Sequence, residues 1–179
     1  ERVFEIMDEP EDLQDKQNAI PIESFTGDVE FSNVNFSYEN DKPVLKNINF
    51  HAKAGEKIAL VGPTGSGKTT IINLLMRFYD IKSGEISIDG LNIKDYKINQ
   101  LREKIGLVLQ GTFLFSGTIM ENIRYGRLDA TDEEVIAAAK MASAHGFIRH
   151  FPERYERRII SGGTGLSQGQ RQLLAIARV

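Results

Sequence analysis

Eight consecutive residues, Gly62-Pro63-Thr64-Gly65-Ser66-Gly67-Lys68-Thr69, have the types and spacing of a phosphate cradle. They fit the pattern G-x-x-x-x-G-K-[ST]. Glycines let the backbone wrap until several N–H groups point at one anion. A helix starting near Lys68 adds the positive end of its dipole. In such a loop Lys68 reaches the β and γ phosphates, and the Thr69 hydroxyl is offered to magnesium. The bland alternative is a flexible glycine turn. The apolar run before the loop and the helical spacing after it favour the phosphate reading.

A second stretch, Leu166-Ser167-Gln168-Gly169-Gln170, sits just before the last helical pattern. A serine cap and a glycine at a helix start make another place for an anion. Taken by itself this signal is weak, because most serines at helix starts serve only their own backbone.

These groups need a scaffold. Val29 and Phe31, then Val34, Phe36 and Tyr38, alternate as strand residues do, with a slip at Ser32-Asn33 that marks a bulge. Ile48, Phe50 and Ala52 form a second alternating run. Lys57 to Val61 and Ile105 to Leu109 are short, nearly continuous apolar runs, as expected of strands buried on both faces. Ile71, Leu74, Leu75 and Phe78 lie on one helical face. Residues 85–93 read as a hairpin turning at Asp89-Gly90. Residues 97–103 read as a short helix, and 117–158 read as helical. Thr131 with Glu134, and Ser167 with Gln170, have the spacing of capping boxes. The expected class is α/β, with the continuous apolar runs suited to a mostly parallel sheet, the alternating runs to an antiparallel β portion, and a helical stretch after them.

Composition narrows the function. With 41% apolar and 26% charged residues, the 179-residue chain has the balance of a globular domain. The net charge of −3 gives no electrostatic case for nucleic acid as a partner. There is no cysteine, so disulfides and thiolate metal sites are excluded. No run of about 18 apolar residues is present to span a bilayer, and Glu1 to Glu5 lack the layout of a signal peptide. In the first 27 residues, Val3, Phe4, Ile6 and Met7 suggest one side of a short helix ended by Pro10, followed by a polar linker.

Leu166 to Gln170, continued by Arg171-Gln172-Leu173-Leu174-Ala175-Ile176-Ala177-Arg178, resembles the signature of ATP-binding cassette (ABC) proteins. Gln168 stands where the commoner form has glycine, a familiar variant. With the phosphate loop about a hundred residues upstream, the resemblance covers nearly the whole chain. It implies that Gly62 to Thr69, with Thr70, hold ATP, and that Tyr38 stacks on adenine. It also implies that Gln110 joins Lys68 in the chemistry and joins Thr69 at the magnesium. Ser167 and Gly169, within Leu166 to Gln170, would serve the ATP of a second, facing nucleotide-binding domain.

Phe113 to Gly126 resembles the start of the helical subdomain in exporters, where it lies against the transmembrane part. The implied layout is a leading segment at 1–27 joined to a transmembrane domain, an ATP-binding core at 28–116, a helical subdomain at 117–165, and the signature with its helix at 166–179. The implied place is the cytoplasmic face of a membrane. Ser161 stands where many exporters carry an acidic residue. The family's Asp-Glu strand and switch histidine lie beyond Val179. Asp89 and the three histidines, His51, His145 and His150, do not match them. The chain alone is therefore expected to hydrolyse ATP very poorly and to leave apolar strand surface open. A soluble ABC ATPase, or a nucleotide-binding regulatory module without catalysis, are the alternatives.

Overall fold

A computed structural model describes residues 13–179 apart from residues 40, 41, 110, 112 and 161. The helix expected at Val3 to Met7 lies outside the described residues, as do Gln110 and Ser161. The chain divides into two compact units, Glu1–Ile105 and Gly106–Val179.

In the first unit, β1 (Val29–Phe36), β2 (Leu45–Ala52), β3 (Ser83–Ile88) and β4 (Leu91–Asn92) form an antiparallel sheet in the order β2-β1-β3-β4. Strand β1 turns Phe31, Val34 and Phe36 into the core, where Ile86, Ile88, Leu45, Leu74 and Leu101 meet them. Phe31 stacks on Phe50 with ring centroids 4.4 Å apart. Burial of a side chain of this size contributes about 1.5–3 kcal/mol.

The expected bulge is present. The register shifts between Phe31 and Val34 against β2, and between Ser32 and Asn35 against β3, with Asn33 at φ 52°. Asparagine amides supply bonds there: Asn33 N–H donates to Asn49 Oδ1 (2.8 Å) and Asn47 N–H to Asn35 Oδ1 (2.9 Å). Gly84 runs so close to the bulge that a Cβ would sit 2.3 Å from the Asn33 carbonyl oxygen.

The β3–β4 hairpin turns at Asp89 (φ 51°) and Gly90 (φ 78°), the two positive angles that a type I′ turn requires. Asp89 also brackets the segment ahead of β1. Its carboxylate accepts from the backbone N–H of Thr26 (2.8 Å), Gly27 (3.0 Å) and Asp28 (2.9 Å), and from the Thr26 hydroxyl. Partial burial opposes the charge, but the Thr26 hydroxyl and the three N–H groups outweigh it and hold the carboxyl below its ordinary value of 3.8. Asp89 is thus a fastener of the fold.

The polar stretch ahead of Thr26 is fastened as well. Asp15 Oδ1 accepts from Ile98 N–H (2.8 Å) at the start of α2 (Ile98–Lys104, with α1 being Lys68–Leu75). Ile20 donates to the Asp95 carbonyl (2.7 Å) and accepts from Lys97 N–H (3.3 Å), and Ile22 N–H donates to Gln100 Oε1 (2.8 Å).

The runs Lys57 to Val61 and Ile105 to Leu109, expected as buried parallel strands, have no ladder partner among the described residues. Val61 is 93% and Leu109 67% exposed, while Ile105 and Leu107 are half-buried. A central parallel strand exists only through neighbours on both sides. The described sheet pairing is accordingly the antiparallel portion of the expected fold.

The second unit holds α3 (Ile119–Arg124), α4 (Asp132–Met141), α5 (His145–Ile148) and α6 (Gln168–Arg178). Within the stretch read as helical, β5 (Gly117–Thr118) pairs antiparallel with β6 (Arg158–Ile159). Leu114, Ile119, Ile148 and Leu174 are fully buried at its centre. The capping boxes expected at Thr131/Glu134 and Ser167/Gln170 form, and Thr118/Glu121 makes a further one ahead of α3. Among the described residues no helix is long and apolar enough to cross a membrane.

Buried Asn122 holds the turn ahead of α3. Its amide accepts from Phe115 N–H and donates to the carbonyls of Phe115 and Thr118, each at 2.9 Å. Arg178, at the end of α6, donates to the carbonyls of Asn122 (2.8 Å) and Phe113 (3.0 Å) and to Asn122 Oδ1 (3.0 Å).

Candidate functional site

The loop at 62–67 is shaped by glycines and ended by α1. Gly65 (φ 84°) and Gly67 (φ 90°) adopt left-handed angles that side chains resist. Gly67 also has no room for a side chain, since a Cβ would lie 2.6 Å from Leu45 Cδ2. From Gly67 the chain enters α1, whose second turn is anchored by buried Leu74. No acidic side chain stands in the first turn of α1 to compete with an anion.

Lys68 folds back across the loop. Its ammonium donates to the carbonyls of Gly62 and Pro63 at 2.7 Å each, and to Ser66 Oγ at 3.3 Å. The cation therefore sits inside the curve of the loop, where anionic oxygens would compete with neutral carbonyls for it. Thr69 follows it on α1, and Thr70 is buried.

Tyr38 stands beside this helix. Its hydroxyl donates to Thr70 Oγ1 (3.2 Å) and accepts from Asn73 Nδ2 (3.3 Å). Tyr38 and Thr70 are thus brought together with the loop that carries Lys68. Asn73 was not singled out from the sequence. Its position on the helical face toward Tyr38 follows only once β1 and α1 are packed.

In the second unit, Ser167 caps α6. Its Oγ accepts from Gln170 N–H (3.2 Å), and Gln170 Oε1 accepts from Ser167 N–H (2.9 Å). Arg171 Nη1 donates to the Leu166 carbonyl (2.7 Å), fixing the approach to the cap. No acidic residue stands in the first turn of α6. Gln168 and Gly169 open this helix, and Leu166 is buried ahead of it.

The ABC transporter family matches residues 45–179, and the chain belongs to that family. It carries the family's ATP-binding domain. Its fold is the α/β P-loop NTPase fold, shared with the structure of a bacterial Atm1-family ABC exporter with ATP bound. That match has a TM-score of 0.90 and 41% identity, covering 99% of this chain and 31% of the other. An ABC transporter ATP-binding protein of Bacillus subtilis, YfiC, is 52% identical over 99% of the chain. A putative multidrug export ATP-binding/permease protein of the same organism, YgaD, is 53% identical over the whole chain. The chain spans 30–31% of the length of these two relatives.

Proposed function

We propose that this chain is the nucleotide-binding portion of a membrane exporter, in which ATP binding and hydrolysis drive transport of a substrate. The observation that carries the reading is the Lys68 ammonium held within the curve of the 62–67 loop at the start of α1. Relatives named as export ATP-binding/permease proteins and as an ABC exporter support the transport role.

In this reading Gly62 to Thr70 bind the phosphates, with Lys68 on the β and γ groups. Tyr38 stacks on adenine. Magnesium suits hard oxygen donors such as the Thr69 hydroxyl and the phosphates, and the family resemblance assigns Gln110 to the same ion. When bound, it neutralises charge on the β and γ phosphates. Lys68 does the same from the protein side, so the chemistry rests on positioning and charge stabilisation. Leu166 to Gln170 serve the nucleotide of a second nucleotide-binding domain facing this one. The segment 1–27 leads to a transmembrane domain, 28–116 is the ATP-binding core, 117–165 the helical subdomain and 166–179 the signature portion. Phe113 and Phe115, both exposed, face the membrane part, which holds the domain at the cytoplasmic side.

Equilibrium binding of magnesium ATP to the chain and to Lys68→Ala tests the core of this reading. The substitution is expected to weaken binding at least about tenfold, or 1.4 kcal/mol. Equal affinity of the two chains would overturn it.

A further inference from the structure

Tyr38 lies two residues beyond the end of β1 and is 49% exposed. A tyrosine so placed has no core to fix its ring, yet four neighbours hold this one. Phe36, buried in the sheet core, meets it edge to face with centroids 4.9 Å apart and planes at 86°. Tyr79, beyond the end of α1, meets it at 5.0 Å and 87°. Thr70 and Asn73, one turn apart on α1, hold its hydroxyl. Aromatic pairs favour this perpendicular arrangement. The two hydrogen bonds tie the ring to the same helix that begins with Lys68 and Thr69.

We propose that Asn73 and Tyr79 are positioning residues that set the Tyr38 ring for the nucleotide base and tie it to the phosphate-loop helix. The proposal rests on the reading that Tyr38 stacks on adenine. A ring held in place before the ligand arrives loses little freedom on binding, and that saving appears as affinity. The part of the ligand that gains is the base. The triphosphate, held by the loop backbone and Lys68, does not depend on the ring.

The test compares dissociation constants for magnesium ATP and for inorganic tripolyphosphate, measured on the chain and its variants. Tyr38→Phe and Asn73→Ala are each expected to weaken ATP about three- to fivefold. The double variant should be no weaker than Tyr38→Phe, because that substitution already removes the bond that Asn73 makes. Tyr79→Ala should act alike, and Tyr79→Phe, which keeps the ring edge, should bind as the parent does. Tripolyphosphate should bind all of them equally.

Independent, additive losses, or equal losses for tripolyphosphate, would overturn the proposal by placing the effect in the helix. Tyr38→Ala separates the two levels. If it leaves ATP binding unchanged, adenine stacking fails and the proposal fails with it. If it weakens ATP alone while the Asn73 and Tyr79 variants match the parent, stacking stands and the positioning role falls.

Discussion

The helical unit and the sheet unit are assembled by different kinds of instruction. In 106–179, α3, α4 and α6 each begin with a Ser or Thr bonded to the residue three positions on. Each start is written within four residues, and the core around Leu114, Ile148 and Leu174 closes over the helices so placed. In the sheet unit the decisive contacts span long stretches of chain. Asp89 fastens Thr26 to Asp28 across about sixty residues, and β3 joins β1 across a similar interval. Where no partner strand stands among the described residues, as along 57–61, apolar residues remain open. Local rules complete a helix from a short passage of sequence, whereas a parallel strand is complete only through its neighbours.

The comparison is broken most directly in the two cores. Phe31→Ala in the sheet unit should cost about 3–5 kcal/mol, and Leu174→Ala in the helical unit about 2–5 kcal/mol. Hydrogen exchange read separately over 28–105 and 113–178 should show each loss chiefly in its own unit. Equal loss of protection in both would mean that they melt as one.

Asp89→Asn probes the long-range fastening next. The native carboxyl titrates below its ordinary 3.8, so its contribution is full above that value. It is lost as pH falls through the lower folded value. In urea titrations from pH 7 down to 2, the parent should lose stability along this limb, and the Asn variant should start lower and show a flatter limb. An unchanged acid profile would remove Asp89 from the account.

A local rule is tested by Thr131→Ala, expected to cost about 1 kcal/mol, with Thr131→Ser retaining most of it. The loss should appear as faster amide exchange at the start of α4. The smallest effect belongs to Val61→Thr, within about 0.5 kcal/mol because the side chain is exposed. Its readout is self-association by sedimentation, which should fall.

The same contrast explains what could be read in the amino-acid sequence. The glycine loop at 62–67, the Asp89-Gly90 turn and two capping boxes depend on neighbours a few residues away, and all were legible; the bulge, made with distant strands, left its trace as the slip at Ser32-Asn33. The Thr118/Glu121 box was equally local, yet it was hidden by taking 117–158 as one helical stretch. The β5–β6 pair within that stretch joins residues about forty apart and has only two residues per strand, too short for periodicity to register. The bonds from Asp15, Ile20 and Ile22 gave no sequence signal, because polar composition reads the same whether a segment is free or fastened. Of the candidate site, the loop and Tyr38 were visible, whereas Asn73 and Tyr79 gain meaning only from packing.

Asn122 and Arg178 carry one more consequence. Asn122 imitates a length of backbone, offering one acceptor and one amide donor where the Phe115 peptide needs them. Arg178 meshes with that arrangement through three teeth at the far end of the helix that Ser167 begins. Rotation of α6 by one residue, roughly 100° at 3.6 residues per turn, would disengage all three at once. Helix α6 and the aromatic loop at 113–115 are therefore geared, with a single residue of slip as the difference between meshed and free.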